Sequence, residues 1–137
     1  MKKSKEAIFS SKIISYLNKI DFSFFYKVSD SFIVGIPDIY GSFNGHCCVI
    51  EVKMTKRIIN GKPLLTDHKF SPKQIQNLKD FQKSKALAIG LVGCTDKCVI
   101  VKPNDIQENG QVTLDEYIII DIKDVNLFLN NEFKDQK

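Results

Sequence analysis

The sequence predicts an α/β protein, a mixed β-sheet flanked by helices, folded as a single domain over residues 1 to 137. Three observations carry that prediction. A helical stripe in the first 20 residues gives way to aromatic and β-branched runs. A Ser-Pro start at residue 71 opens a second amphipathic helix. After it, residues 86 to 92 and 98 to 101 are apolar on both faces, as strands covered by helices on each side are. With 137 residues and 43% hydrophobic content, the chain has the size of one domain and enough apolar surface for a core.

Taken in order, residues 4 to 20 place Ile8 or Phe9, Ile13, Tyr16, Leu17 and Ile20 on one helical stripe. Glu6 falls in the first turn, where the helix dipole favours a carboxylate. Asp21 to Ser29 is aromatic and β-branched and reads as the first strand, with most of its rings in the core. Ser29 to Phe32 is a short turn, and Ile33-Val34-Gly35 leads onward. Gly35 is either an ordinary turn glycine or a point where backbone closely approaches a phosphate.

The centre of the chain is the stretch from Gly35 to Lys53. Pro37 suits a strand start or an edge. Asn44-Gly45 tolerates positive φ at both centres of a two-residue turn and so supplies a hairpin. On the second arm, alternation points Glu51 and Lys53 to one face and Ile50 and Val52 to the other. Folding the hairpin brings Asp38 towards Glu51 and Lys53, giving two carboxylates and an amine in one place.

Residues 54 to 70 form a long connection broken by Asn60-Gly61 and Pro63, and connections of that length tend to be functional or mobile. It reads as a flap over nucleic acid with Lys56 and Arg57 on phosphate, or as an extra hairpin or dimer contact made by Ile58-Ile59 and Leu64-Leu65. His68 is an incidental polar residue rather than a general base, having no visible partner. Ser71 is an N-cap, Pro72 suits the first helical position, and Gln74 completes a capping box. This helix runs to about Lys85, with Ile75, Leu78 and Phe81 or Gln82 inward and Lys73, Gln76, Lys79 and Lys83 outward. The strands at 86 to 92 and 98 to 101 should be neighbours, followed by a polar loop over 103 to 115, a strand over 116 to 121, and a helical turn or two at Val125 to Phe128. The last residues, Asn130 to Lys137, are expected to fray.

The formal net charge is +4, and it is unevenly spread. Residues 53 to 85 hold nine Lys or Arg against Asp67 and Asp80, whereas residues 86 to 137 hold five against nine acidic groups. A polyanion partner follows from that block, with Lys56, Arg57, Lys62, Lys69 and Lys73 as the candidate nucleic-acid contacts; a solvated basic face is the other reading. The chain has no apolar stretch of about 18 residues and no signal region after its Lys-rich start, so neither a membrane span nor export is expected. An intracellular protein is. Cys47, Cys48, Cys94 and Cys98 read as small buried or half-buried thiols rather than a zinc site or disulfides.

The carboxylate pair and lysine suit metal-dependent hydrolysis of a phosphodiester. Carboxylate oxygens are the hard ligands Mg²⁺ prefers, Mn²⁺ accepts the same set, and a lysine can offset developing charge or orient the nucleophile.

Asp38, twelve intervening residues and Glu51-Val52-Lys53 resemble the PD-(D/E)xK nuclease motif, with Pro37-Asp38 and Glu-x-Lys both literally present. The wider context of Gly35 to Ile39, Asn44-Gly45, Ile50 to Lys53 and Ser71-Pro72-Lys73-Gln74 resembles the VRR-NUC branch of that superfamily, which includes small phage and bacterial nucleases and is similar in fold to Holliday junction resolvases. The similarity spans roughly residues 6 to 93 and leaves the C-terminal third without a counterpart. It implies a restriction-endonuclease-like fold with a strand-rich C-terminal extension. It also implies a DNA endonuclease of recombination or repair, acting on a branched junction or flap as a homodimer, nucleoid-associated or phage-encoded. Asp38, Glu51, the backbone carbonyl of Val52 and Glu6 would hold Mg²⁺ or Mn²⁺, with Lys53 assisting the attacking water and Gln74 positioning it. Three other readings stay open at this point: a nuclease of restriction or repair type on plain DNA, a non-catalytic nucleic-acid-binding or inhibitor protein, and a purely structural Glu51-Lys53 salt-bridge ladder.

Overall fold

In a computed structural model the described residues are 4–28, 34–55, 58–59, 62–63, 69–110, 112 and 119–134. The Ser4 hydroxyl accepts from the Ala7 N–H at 3.1 Å and starts helix α1 (Lys5–Leu17). Strand β1 (Ser23–Lys27) follows, then β2 (Ile39–Phe43) and β3 (His46–Met54). Asn44 and Gly45, at φ 51° and 81°, make the expected tight turn between the last two.

Strands β4 (Ile58–Ile59) and β5 (Lys62–Pro63) form a small antiparallel ribbon, with Ile58 opposite Pro63. The extra hairpin is therefore present, with Lys62-Pro63 paired to Ile58-Ile59; Leu64-Leu65 lie outside the described residues together with Lys56, Arg57 and His68. Helix α2 (Pro72–Lys83) leads to β6 (Leu87–Cys94) and β7 (Lys97–Val101), then a 3-10 turn at Pro103–Asp105 and β8 (Ile119–Asp121). A second 3-10 turn, Ile122–Asp124, runs into helix α3 (Val125–Lys134). Among the described residues no helix is long and apolar enough to cross a membrane.

Six strands make one sheet in the order β1-β2-β3-β6-β7-β8. Only β3 and β6 run parallel, joined by the crossover through α2; the other neighbours are antiparallel. Alternation along β3 divides the core. Cys48, Ile50 and Val52 pack with Phe9, Ile13 and Leu17 of α1 and Val125 and Leu129 of α3. Val49, on the opposite face, packs with Phe70 and with Ile75 and Leu78 of α2. Glu51 and Lys53 share the face of Val49 by the same alternation.

Four expectations are corrected. Cys47, read with the other thiols as buried or half-buried, is exposed, at the start of β3 beside the hairpin turn. Of the rings around β1 only Phe25 is buried; Phe22, Phe24 and Tyr26 are 84%, 66% and 50% exposed. The reason lies in the strand order: β1 is at the edge, and α2 covers the sheet only as far as Tyr40, whose ring meets Phe81 edge-on at 5.5 Å. Tyr16, placed on the buried stripe by periodicity, is 39% exposed because Phe9, Ile13 and Leu17 already fill the α1 contact. Helix α3 continues through Lys134 where fraying was expected from Asn130, since Val125 and Leu129 anchor its inner side and Glu132 pairs with Lys102 at 3.0 Å. The polar loop after β7 is also partly ordered by the 3-10 turn and a bridge between Ile106 and Val112.

Candidate metal centre

The hairpin register sets Ile39 opposite Ile50, so Asp38 stands one step beyond the last β2–β3 pair. There the Asp38 Oδ2 accepts from the Val52 N–H at 2.8 Å, a side chain supplying the acceptor that the strand no longer provides. That bond commits one oxygen of Asp38 to the backbone and fixes the carboxylate beside Glu51. The Val52 carbonyl points to the same edge of β3 as its N–H, towards Asp38.

Glu51 is 2% exposed. Its Oε1 accepts from Gln74 Nε2 at 3.0 Å. Gln74 is itself held by the capping box, its Oε1 accepting from the Ser71 N–H at 2.9 Å while its own N–H donates to Ser71 Oγ at 3.1 Å. The cap thereby spends the acceptor end of the amide and aims the donor end at the carboxylate. Both sequence readings of Gln74, helix cap and site residue, describe one side chain.

Glu6 completes the cluster from α1. Each of Glu6, Asp38 and Glu51 offers an oxygen, and these oxygens all lie within 4.8 Å of one another. The start of α1 reaches this place because Phe9 packs where Gly93 leaves room: a Cβ at Gly93 would come within 2.6 Å of the Phe9 ring. Lys5, Phe9, Met54, Thr55 and Cys94 line one cleft, which puts the helix start at the C-terminal ends of the parallel strands β3 and β6. Crevices outside those ends are the usual ligand sites of α/β sheets.

Burial pushes the Glu51 carboxyl up to about 9; the neighbouring Asp38 charge adds to this, Lys53 opposes it, and a carboxyl hydrogen bond with Asp38 and the Glu6 charge raise it further. Glu51 Oε2 is buried and, among the described residues, meets no hydrogen-bond donor. A shared carboxyl proton, a water or a cation can satisfy such an oxygen. Three clustered carboxylates are a hard oxygen set of the type Mg²⁺ and Mn²⁺ take, so the residues present fit such an ion.

Lys53 shares the Glu51 face, half-buried, with its Nζ 5.8 Å from the centre of the Phe70 ring. Phe70 is seated by its N–H donating to the Gly110 carbonyl at 3.2 Å and by Gly90, the β6 partner of Glu51, where a Cβ would come within 2.8 Å of the ring. The Glu51-Lys53 ladder of the purely structural reading is thus not what either side chain is built around: Glu51 bonds Gln74 and Lys53 lies on Phe70.

Gly35, at φ +80°, is explained by packing. A Cβ there would come within 2.7 Å of Lys73 Cγ, and Asn77 Nδ2 donates to the Gly35 carbonyl at 2.7 Å. The segment entering Asp38 is thereby clamped onto α2, with the exposed Lys73 alongside; Lys69 is also exposed. Lys62 contributes its backbone to β5, and its side chain, like all of Lys56 and Arg57, lies outside the described residues. Two neighbours of the site were missed by sequence reasoning. Tyr40, two residues beyond Asp38 and so on its face by alternation, has its phenol raised by burial, then by Tyr26 and Glu51, with Cys47 adding least. For Phe70 no local signal exists, because its place depends on Gly90 and Gly110.

No protein-family model and no curated protein sequence matches the chain. Among solved structures it is similar to that of Archaeoglobus fulgidus Hjc, a Holliday junction resolvase from an archaeal hyperthermophile. The identity is 18% and the TM-score 0.56, over 87% of this chain and 92% of that one. At this identity the likeness shows the fold: the mixed six-stranded sheet with its three helices is a restriction-endonuclease-like α/β architecture.

Proposed function

We propose that the chain is a Mg²⁺- or Mn²⁺-dependent DNA endonuclease of the PD-(D/E)xK type, allied to the VRR-NUC branch. The observation that carries this reading is the convergence of Glu6, Asp38 and Glu51 within 4.8 Å, beside Lys53 and at the end of the parallel strand pair. A binding module has no use for three carboxylates at a surface meant for phosphate, where they would repel it.

In this reading Asp38, Glu51, Glu6 and the carbonyl of Val52 hold the ion. When bound, it supplies the positive charge that polarises a phosphoryl oxygen and acidifies a water. The residues of the chain do the rest. Asp38 is tied to the Val52 N–H by Oδ2, and Gln74 holds Glu51 by Oε1, so both carboxylates keep a fixed place in the cluster. Burial favours the protonated Glu51 carboxyl, and a bound cation would favour its ionised form. Lys53, its Nζ 5.8 Å from the centre of the Phe70 ring, would orient the attacking water or offset charge on the phosphoryl oxygens. Lys56, Arg57, Lys62, Lys69 and Lys73 bind the phosphate backbone.

Likeness in fold to a Holliday junction resolvase supports a branched or flapped substrate and a homodimer presenting two sites. The test is cleavage of labelled duplex, flap, single-stranded and four-way-junction DNA with Mg²⁺, Mn²⁺ or EDTA, comparing wild type with Glu51→Gln. Metal-dependent cutting that the variant lacks is expected; salt-sensitive binding without cutting under any condition would sink the enzyme reading. Light scattering that gives a monomer at high concentration would remove the dimer.

A further inference from the structure

The exposed rings of β1 have no role in the core. Phe24 and Tyr26 lie on the same side of the sheet as Asp38 and Glu51, because Tyr26 is paired with Tyr40 and Tyr40 alternates in phase with Asp38. Ring centres run from Phe24 to Tyr26 at 6.1 Å, from Tyr26 to Tyr40 at 6.4 Å, and from Tyr40 to Phe81 at 5.5 Å. The row starts under α2, passes Tyr40 within electrostatic reach of Glu51, and emerges into solvent over the outer two rings. Phe22 stands next to it, 84% exposed on a backbone at φ 65°, a conformation that costs a bulky side chain energy.

An apolar row at a sheet edge could meet a second copy of this chain by strand addition, but the outward backbone of β1 is taken. Asn18 Oδ1 accepts from the Phe25 N–H at 2.8 Å, and Asn18 Nδ2 donates to the Phe25 carbonyl at 3.0 Å. The groups a further strand would pair with are blocked at the middle of β1. What remains open is the face of the rings. Ser23 to Lys27 contains no carboxylate; Asp21 stands two residues before it, and Lys27 alternates with Phe25 onto the other face of the sheet. On the side of the rings, the exposed Lys73 of α2 lies beside the segment that enters Asp38. Flat, spaced rings continuous with a carboxylate cluster, on a face that also carries Lys73, suit the faces of unpaired nucleobases, which stack on aromatics whatever their sequence.

We propose that Phe24 and Tyr26 form a stacking platform for unpaired nucleotides leading to the carboxylate cluster. The substrate class is then nucleic acid with a single-stranded segment next to the cut, such as a flap or a splayed arm, rather than a closed blunt duplex. This rests on the nuclease reading for its biological meaning, while the binding itself does not.

The experiment measures fluorescence anisotropy of the metal-free 137-residue chain with a labelled oligothymidylate and with a blunt duplex of equal length. Wild type is compared with Phe24→Ala/Tyr26→Ala and with the ring-preserving Phe24→Tyr/Tyr26→Phe. Stacking of this kind predicts a loss on the order of tenfold per ring for the single strand, little change for the duplex, and retention by the ring-preserving variant. Circular dichroism checks that the alanine variant is folded, as its exposed positions lead one to expect; if it is not, single Phe24→Ser and Tyr26→Ser variants take its place. Unchanged single-strand affinity, or equal losses on both ligands, overturns the proposal. So does a change in mass by light scattering at constant single-strand affinity, which would make the face a contact between copies. Cleavage assayed separately with Mg²⁺ keeps the two readings apart: ring-dependent binding without cutting leaves the platform and removes the nuclease, and cutting that ignores the rings does the reverse.

Discussion

The two faces of strand β3 are built from adjacent residues and have opposite purposes. Towards α1 and α3, Cys48, Ile50 and Val52 are fully buried among apolar side chains. Towards α2, Val49 begins in the same manner, but Glu51 follows, buried to 2% exposure with one oxygen that meets no donor among the described residues, and then Lys53. The first face stabilises the fold. The second holds a carboxyl in surroundings that disfavour its charge, a condition typical of sites tuned for chemistry. One strand thus carries core and site a single residue apart.

That contrast can be broken most sharply at Glu51. In Glu51→Gln, metal-dependent cleavage should fall by about a thousandfold or more, the several kcal/mol that electrostatic stabilisation by a bound ion contributes. DNA binding should persist, and the metal-free variant should be more stable than wild type at pH 8. A variant less stable than wild type would mean that Glu51 is a structural group. On the opposite face, Ile50→Ala should cost about 3 kcal/mol in urea unfolding while leaving cleavage near normal at low temperature, where the fold survives. Loss of cleavage from a folded Ile50→Ala would erase the division between faces.

Changing pH sharpens the same comparison with no mutation. The unfolded Glu51 carboxyl loses its proton near the ordinary value of 4.5, whereas the folded one keeps it up to about 9. Between those limits the folded state carries the extra proton, so metal-free stability should fall as pH rises, by at most about 1.4 kcal/mol per pH unit from this group. Glu51→Gln should flatten that slope, and saturating Mg²⁺ should offset it, since the ion takes the ionised form. Thermal melts from pH 5 to 8.5, with and without the ion, read all three. A rising wild-type slope without metal would contradict the burial argument.

The smallest expected effects separate the two ends of the Gln74 amide. Gln74→Ala should lower stability by about 1 kcal/mol through the lost cap and reduce cleavage by about tenfold, as Glu51 loses the Gln74 donor. Retention of full cleavage would confine Gln74 to its helix.

The parts of this molecule that were legible in the sequence are those that local chemistry decides. Asn44-Gly45 needs only its own φ preference to close the hairpin, and once it closes, alternation must bring Asp38 to Glu51. Ser71 and Gln74 likewise declare their helix by themselves. What depends on the order of strands was not legible. Phe22, Phe24 and Tyr26 have the composition of core residues, yet β1 is an edge, and nothing within Asp21 to Ser29 says how far α2 extends. Asn130-Asn131 has the composition of a helix end, but Leu129 below and the Lys102-Glu132 pair carry α3 onward. Phe70 sits under Lys53 only because distant glycines make room for it.

The orientation of the Gln74 amide also bears on how the sequence encodes its own site. A glutamate at position 74 would satisfy the capping box equally well, so the rules that write a helix start do not distinguish the two letters. Towards Glu51, however, glutamine presents a donor, and glutamate would set a fourth acidic group against a carboxyl that already resists ionisation. The substitution with the least meaning for the helix therefore has the most for the cluster. Position 74 is a place where two grammars share one character, and only the second can reject the synonym.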